Sequence, residues 1–351
     1  MNKKKQEDFQ IRLFEELNNG MSCLVLELGY RLGLIQTLAS EGAMSSSELA
    51  GYFGYSERYV HEWLEAMAAG EYLAHDAISD RFSLPPAHAE VLVEPNSPYS
   101  AIGTIGWVTS MARILPNLMV AFNNGGGVPF KEYGQEIVTA QSYENRPKFV
   151  NYYVNTWIPT MPDIENKLKD GGRVAEIGCG TGWSSIALAK GFGNISIDAI
   201  DPDEPSINEA KINAAIEEVA ERIDFHLSTI EEAELEGPYD LVTAFECLHD
   251  LPYPIQALNR MRELAGQSGA VLVADVAVGE TLEENTNFFG HICYNFSVLH
   301  CLPQAMDFPH AAATGTVIKP SIVRRYAEKA GFTEVEILPI EGPWRFYRLI
   351  S

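Results

Sequence analysis

Basic residues are scarce in this chain of 351 residues: 25 Lys and Arg stand against 48 Asp and Glu, a formal charge of −23. A surface this acidic is repelled by phosphate, which argues against nucleic-acid binding and against docking on anionic membranes. No run of eighteen uninterrupted apolar residues occurs, so no membrane-spanning helix is expected. The opening MNKKKQEDFQ has no apolar stretch of the secretory kind. Cysteine is sparse and scattered: Cys23, Cys179, Cys247, Cys293 and Cys301 form an odd set without a CxxC pair. That usage reads as reduced thiols in a cytoplasmic protein.

What is present suffices for a large core, with 46% hydrophobic and 21% charged residues. At ~150 residues per domain the length predicts two or three domains. Residues 1–20 read as an N-terminal arm. Over 21–40, Leu24, Leu28, Leu32 and Leu38 recur at near-helical spacing. SSSELAGYF opens with a capping box from Ser45 to Glu48. In SERYVHEWLEAMAAG, Ser56 is the expected N-cap, with Tyr59, Val60, Trp63, Leu64 and Met67 on one face. EYLAHD and RFSL follow as a hairpin, completing a winged-helix pattern over 21–95. Residues 96–170 are aromatic, Gly- and Pro-rich and read as a helical connector and lid, with a hinge at Gly125–Gly127. From 171 to 351 the pattern alternates: strands at 173–178, 195–201, 222–228, 239–246 and 270–276, helices near 183–192, 205–219, 254–265 and 319–330, and two closing strands. Such alternation indicates an α/β fold with a mostly parallel sheet, whose ligand sits at the carboxyl edge of the strands.

The strongest local signal is Glu176-Ile-Gly178-Cys179-Gly180-Thr-Gly182, which ends a strand and opens a helix. Glycine serves such a turn because backbone N–H groups must point at a ligand that approaches closely. A nicotinamide fingerprint needs a third glycine five residues after the first, and that position holds Trp183.

This E-x-G-x-G-x-G form resembles the first motif of class I S-adenosylmethionine-dependent methyltransferases. Asp201 ends the next strand, nineteen residues after Gly182 (201 − 182), YDLVTAFECLHDLP resembles the family's fourth-strand motif, and the closing strands resemble its reversed seventh. The resemblance implies a seven-stranded, mostly parallel Rossmann-like sheet with the last strand reversed, and S-adenosylmethionine (SAM) as cofactor with S-adenosylhomocysteine as product. Carried over by position, Gly178, Cys179, Gly180 and Gly182 hold the methionine part, Glu176 orients the loop and attracts the amino end, Asp201 and Pro202 meet the ribose, and Phe245 contributes a carbonyl. Thr229 stands where many relatives have an acid on the adenine amine, leaving that contact to its hydroxyl or to Ile230.

LGYRLGLIQTLA, ELAGYFGYSERYVHEWLEAMAAGEYL and RFSLPPAHAEVL resemble the winged-helix domain of a bacterial two-domain methyltransferase family, a match that GGGVPFKEYG, HCLP and RRYAEKAGF extend over nearly the whole chain. Some members are labelled transcriptional regulators. In residues 21–93, however, three basic groups (Arg31, Arg58, Arg81) face ten acids, a net of −7. A duplex reader needs Lys and Arg for phosphates. In similar small-molecule O-methyltransferases this domain dimerises, and a homodimer through it is expected here.

Methyl transfer from a sulfonium needs alignment, exclusion of water and, for a hydroxyl acceptor, removal of a proton. His249 in CLHDLP resembles the histidine base of plant-type O-methyltransferases, and imidazole titrates in the right range. Asp250 orients it or caps the next helix. In NFFGHICYNFSVLHCLP, His291, Tyr294 and Asn295 share a helical face with Asn287 and, with His300, line the expected acceptor pocket. Tyr133, Tyr143, Tyr153 and Trp157 form an aromatic lid or core, with Tyr153 and Trp157 as candidate acceptor contacts. His and Cys neighbour one another at Cys247/His249, His291/Cys293 and His300/Cys301, but such pairs point apart on regular elements, so no metal site is expected. The leading expectation is methyl transfer to a small-molecule hydroxyl. Alternatives are N- or C-methylation, a SAM-responsive DNA-binding regulator, and a scaffold without turnover.

Overall fold

The computed structural model describes residues 3–351, which divide into two compact units: residues up to Ala112 with Thr139–Pro147, and Arg113–Val138 with Lys148–Ser351.

The first unit opens on α1 (Lys3–Arg31), a single 29-residue helix that absorbs the expected arm, followed by α2 (Leu34–Glu41), α3 (Ser46–Phe53) and α4 (Glu57–Ala69). The wing is β1 (Ala74–Asp76) paired antiparallel with β2 (Arg81–Ser83), then come α5 (Pro86–Leu92) and α6 (Ile102–Arg113). Leu26, Leu34, Ile35, Leu38, Leu49, Val60, Trp63, Leu64 and Met67 form its core. Ser45 and Glu48 make the capping box that the sequence predicts. Ser56 occupies the N-cap of α4 without a side-chain bond. Tyr59, expected on the packed face, is 81% exposed, because at the first turn of α4 that face has rotated to Val60 and Trp63. The Trp63 indole N–H donates to the Val25 carbonyl at 2.9 Å, and its ring lies over Gly29, where a Cβ would sit 2.1 Å from the indole.

In the second unit come α7 (Leu115–Asn124), α8 (Gln135–Lys148, part of which belongs to the first unit), a π-helical stretch Phe149–Trp157 and α9 (Pro162–Lys169). The sheet then builds from β3 (Arg173–Ile177), α10 (Trp183–Gly191), β4 (Ser196–Asp201), α11 (Glu204–Ile216), β5 (Ile223–Leu227), β6 (Leu241–Phe245), α12 (Pro254–Ala265) and β7 (Ala270–Val276). After α13 (Phe288–Phe296), a second π-helical stretch Ser297–Cys301, α14 (Leu302–Ala305) and α15 (Pro320–Lys329), the chain closes with β8 (Glu334–Ile337) and β9 (Trp344–Ile350). The strand order is β5-β4-β3-β6-β7-β9-β8, with β9 alone running opposite to the other six strands. β6 and β7 are buried at every position, as strands covered on both faces must be, which explains their unbroken apolar runs. The order reverses between β3 and β6, so their carboxyl ends flank the switch point where such sheets hold ligands. Gly127 is closely packed: a Cβ there would lie 2.2 Å from the Pro303 carbonyl oxygen, and Val128 N–H donates to that carbonyl at 2.9 Å.

Candidate functional site

At the end of β3 the turn bends back on itself through Gly178, Gly180 and Gly182, with φ of 69°, 52° and 82°, a region that favours glycine. Gly178 and Cys179 donate their N–H groups to the Ile200 carbonyl at 2.9 and 3.0 Å, tying the turn to β4. Gly180 donates to Asp201 Oδ2 at 2.8 Å, and Asp203 N–H donates to Asp201 Oδ1 at 2.9 Å. The Asp201 carboxylate therefore faces the turn from the neighbouring strand. Burial pushes it up to about 6 against those two N–H donors. Glu176 lies beneath the turn and accepts the hydroxyls of Ser184 and Ser185 in the first turn of α10, with its carboxyl raised to about 7 by burial. A Cβ at Gly178 would come 2.9 Å from that of Cys247, and one at Gly182 would press on Ala210 and Phe225. At Gly180 a Cβ would meet nothing within 4 Å, so the middle of the turn is an open cradle bounded by a carboxylate. That arrangement fits a nucleoside with a charged amino-acid tail.

The neighbouring strand β6 leaves the sheet at Phe245. Its ring packs on Phe149 and Tyr153 at centroid distances of 5.4 and 5.1 Å, within a cluster that includes Trp157 and Trp344. Tyr153 and Trp157, expected to touch the acceptor, are 1% and 6% exposed and belong to this core, while Tyr143 belongs to the other unit against Tyr30. The four aromatics therefore do not act as one lid. A π-helical backbone turns Phe149, Tyr153 and Trp157 to one side, a spacing that helical periodicity alone cannot separate from an exposed stripe. Glu246 follows in the left-handed region at φ 48°, its carboxylate 3.8 Å from Lys148 Nζ.

Next comes the turn carrying His249 and Asp250. His249 is 4% exposed, and its Nδ1 lies 2.7 Å from Oδ1 of the fully buried Asp275 on β7. His249 N–H also donates to Asp275 Oδ2, and Val276 N–H to Oδ1 at 2.8 Å, so the carboxylate is fixed while it orients the ring. His249 Nε2 points toward Asp250 Oδ1 at 3.3 Å. Burial alone would depress the imidazole, but the carboxylates of Asp250 and Asp275 outweigh it and hold its pKa well above 6.5. Asp275 was missed by sequence reasoning, although an acid inside the otherwise apolar AVLVADV was a usable signal, since charged groups in such strands are paired.

Of the remaining expected pocket residues, Pro202 is exposed, Thr229 is half-buried and Ile230 buried beyond β5. Asn287 caps α13 by accepting the Gly290 N–H, and His291 and Asn295 lie on that helix's exposed face with Tyr294 half-buried. His300 is buried, with the Tyr133 ring 4.9 Å away and its Nδ1 3.4 Å from Cys301 Sγ, and burial lowers its pKa to about 4. The expectation that neighbouring His and Cys point apart fails at His300/Cys301; separately, His249 and Cys301, distant in sequence, meet across the fold.

Turn, paired carboxylate, reversed last strand and winged helix together define the class: a SAM-dependent methyltransferase of the class I fold carrying an N-terminal winged-helix domain. Residues 168–331 match the methyltransferase domain family, and residues 20–94 match the Rv2258c-like winged HTH domain. The chain is similar to the ubiquinone biosynthesis O-methyltransferase of Aromatoleum aromaticum, with 26% identity over 170 residues covering 48% of this chain and 67% of that protein. Among solved structures it shares the fold of PigF with SAH (TM-score 0.72, 17% identity, 100% of both chains). It likewise shares the fold of human N-acetylserotonin methyltransferase in complex with SAM (TM-score 0.69, 17% identity, 100% of this chain and 99% of that one). Among the described residues no single helix is long and apolar enough to cross a membrane.

Proposed function

We propose that the protein methylates a hydroxyl oxygen of a small-molecule acceptor, with His249 receiving the hydroxyl proton. The observation that carries this reading is the buried His249–Asp275 pair at the exit of β6, beside the glycine turn. A hydroxyl must lose its proton as the new bond forms, and His249 is placed to take it. Bound SAM supplies an activated methyl group. The chain's part is to hold and align: backbone at Gly178, Cys179, Gly180 and Gly182 against the methionine portion, Asp201 and Pro202 at the ribose, Phe245 through its carbonyl, Thr229 and Ile230 near the base. Glu176 acts as a strut under the turn through Ser184 and Ser185. Asp275 is a positioning residue that fixes the ring with Nε2 toward Asp250, which sits where it can share the proton. His291, Tyr294, Asn295 and His300 are assigned to the acceptor side. Much of the acceleration comes from placement and exclusion of water.

A homodimer through the first unit accompanies this reading. Phe14, Leu17, Met21, Leu24 and Leu28 follow one another along α1 at alternating spacings of three and four, all between 48% and 63% exposed. That is the seam of a coiled coil, and a second copy of the same helix buries it. The net acidity of the winged helix speaks against duplex DNA as its partner. The test is production of S-adenosylhomocysteine over a panel of phenols. His249→Ala is expected to lower turnover ~100-fold or more while SAM affinity measured by calorimetry is retained. Unchanged turnover would remove His249 from the reaction.

A further inference from the structure

The atoms around His249 have a second property. One ring nitrogen of His249, an Asp250 carboxylate oxygen and Cys301 Sγ all lie within 4.8 Å of one another, and Nε2 is the nitrogen that faces Asp250 Oδ1 at 3.3 Å. One nitrogen, one oxygen and one sulfur are a donor set that zinc and its first-row neighbours accept. Metal–ligand bonds of roughly 2.0–2.3 Å in a tetrahedron separate donor atoms by about 3.3–3.8 Å. The His249–Asp250 pair is already at 3.3 Å, and the sulfur needs only a small approach. Adjacent residues can converge here because residues 248–250 form a turn instead of a strand or helix.

Three further features match a metal centre. The other nitrogen of His249 is bonded to the Asp275 carboxylate at 2.7 Å, the outer-shell bond that fixes the tautomer of a metal-binding imidazole and aims its Nε2 lone pair. Asp250 Oδ1 is buried and, among the described residues, accepts no hydrogen bond. Cys301 is held in place: it ends the π-helical stretch Ser297–Cys301, whose Leu299 carbonyl accepts the Tyr133 hydroxyl at 2.9 Å. The three donors leave a fourth position for water or an acceptor oxygen, as in zinc sites that keep an exchangeable ligand.

We propose that His249, Asp250 and Cys301 bind a zinc-class divalent cation, and that its occupation withdraws the His249 Nε2 lone pair from proton transfer. On binding, the Cys301 thiol and any protonated His249 imidazole each give a proton to solvent, and the thiolate and the Asp250 carboxylate balance the two charges of the ion. The cation site rests on geometry alone, whereas the inhibition rests on the reading of His249 as the base. The test uses the full chain, freed of metal by a chelator and titrated with Co²⁺. A saturable cobalt spectrum with a thiolate-to-metal charge-transfer band at one ion per chain is expected, and Zn²⁺ should displace it. Cys301→Ser should abolish the charge-transfer band and Cys23→Ser should leave it unchanged, while Asp275→Asn should weaken affinity roughly 10- to 100-fold. Circular dichroism of each variant separates loss of the site from loss of the fold, and if Cys301→Ser does not fold, Asp250→Asn supplies the same comparison through cobalt affinity. Absence of a thiolate band in the parent protein, or its survival in folded Cys301→Ser, would overturn the site. Zn²⁺ should also stop methyl transfer by the parent protein. A full cobalt band with undiminished transfer in Zn²⁺ would overturn the inhibition and the base assignment together, leaving the cation site standing.

Discussion

Replacing Asp275 by Asn tests the reaction most directly, because it changes one charge and almost no volume. In the parent protein Asp275 Oδ1 meets His249 Nδ1 at 2.7 Å in a fully buried setting. The amide oxygen of Asn can still accept the Val276 N–H, but the carboxylate's charge is gone. A hydrogen bond to a charged partner contributes about 1.5–3 kcal/mol. If that bond aligns and stabilises the imidazolium as the proton arrives, turnover falls by roughly 10- to 150-fold. The pH profile carries a second, independent signature. His249 must be neutral to act as a base, and its pKa is held well above 6.5 by Asp250 and Asp275 against the effect of burial. Activity in the parent protein therefore rises as pH increases through neutrality toward the alkaline side. With Asp275 neutralised the imidazole loses its proton more easily, and the acid limb of kcat/KM moves to lower pH while the plateau drops. A merely structural Asp275 would lower expression or Tm without moving that limb. Turnover within twofold of the parent and an unmoved limb would refute the reasoning.

Three further outcomes follow from the same structure. The Glu176 carboxyl sits at about 7 in the fold against 4.5 when free, so the folded state holds a proton that the unfolded chain releases; stability is fully present below pH 4.5 and lost as pH rises toward 7, by an amount on the order of 3 kcal/mol. Glu176→Gln should accordingly melt above the ligand-free parent protein at pH 8 and close to it near pH 4.5, and equal melting curves at both pH values would contradict this. Gly29→Ala drives a Cβ into the Trp63 ring, and about 1–3 kcal/mol of destabilisation is expected by urea titration, with altered tryptophan fluorescence; a neutral result would mean the ring moves aside freely. Met21→Glu sets a charge in the middle of the α1 seam and should shift the species seen by light scattering from dimer to monomer, whereas a monomeric parent protein would remove the seam's role.

The glycine turn, the alternation of strands and helices and the capping box were all readable from the chain alone, since each depends on residues within one or two turns of one another. Short-range chemistry of that kind repeats wherever the local backbone demands it. The charge count likewise argued against DNA without any structure. Periodicity says which residues share a face, but which face is packed depends on what lies opposite. Leu24 and Leu28 recur at helical spacing yet are half-exposed on α1, while Leu26 is buried. Tyr153 and Trp157 went the other way, from lid to core, because the π-helical backbone stacks them on Phe245.

The site divides along the same line. The proposed cofactor side lies in one contiguous motif plus Asp201, and so could be read from the chain through its resemblance to the class I motif. The acceptor side could not. His249 and Asp275 are 26 residues apart and Cys301 lies 26 further on, on three different elements. Only the parallel pairing of β6 with β7 and the π-helical return of Ser297–Cys301 bring them together. Local sequence thus determined the fold class and the shape of the glycine turn, because both rest on backbone geometry that neighbouring residues impose. Tertiary structure decided what surrounds the imidazole, because a partner brought in by strand order leaves no trace in the residues beside it.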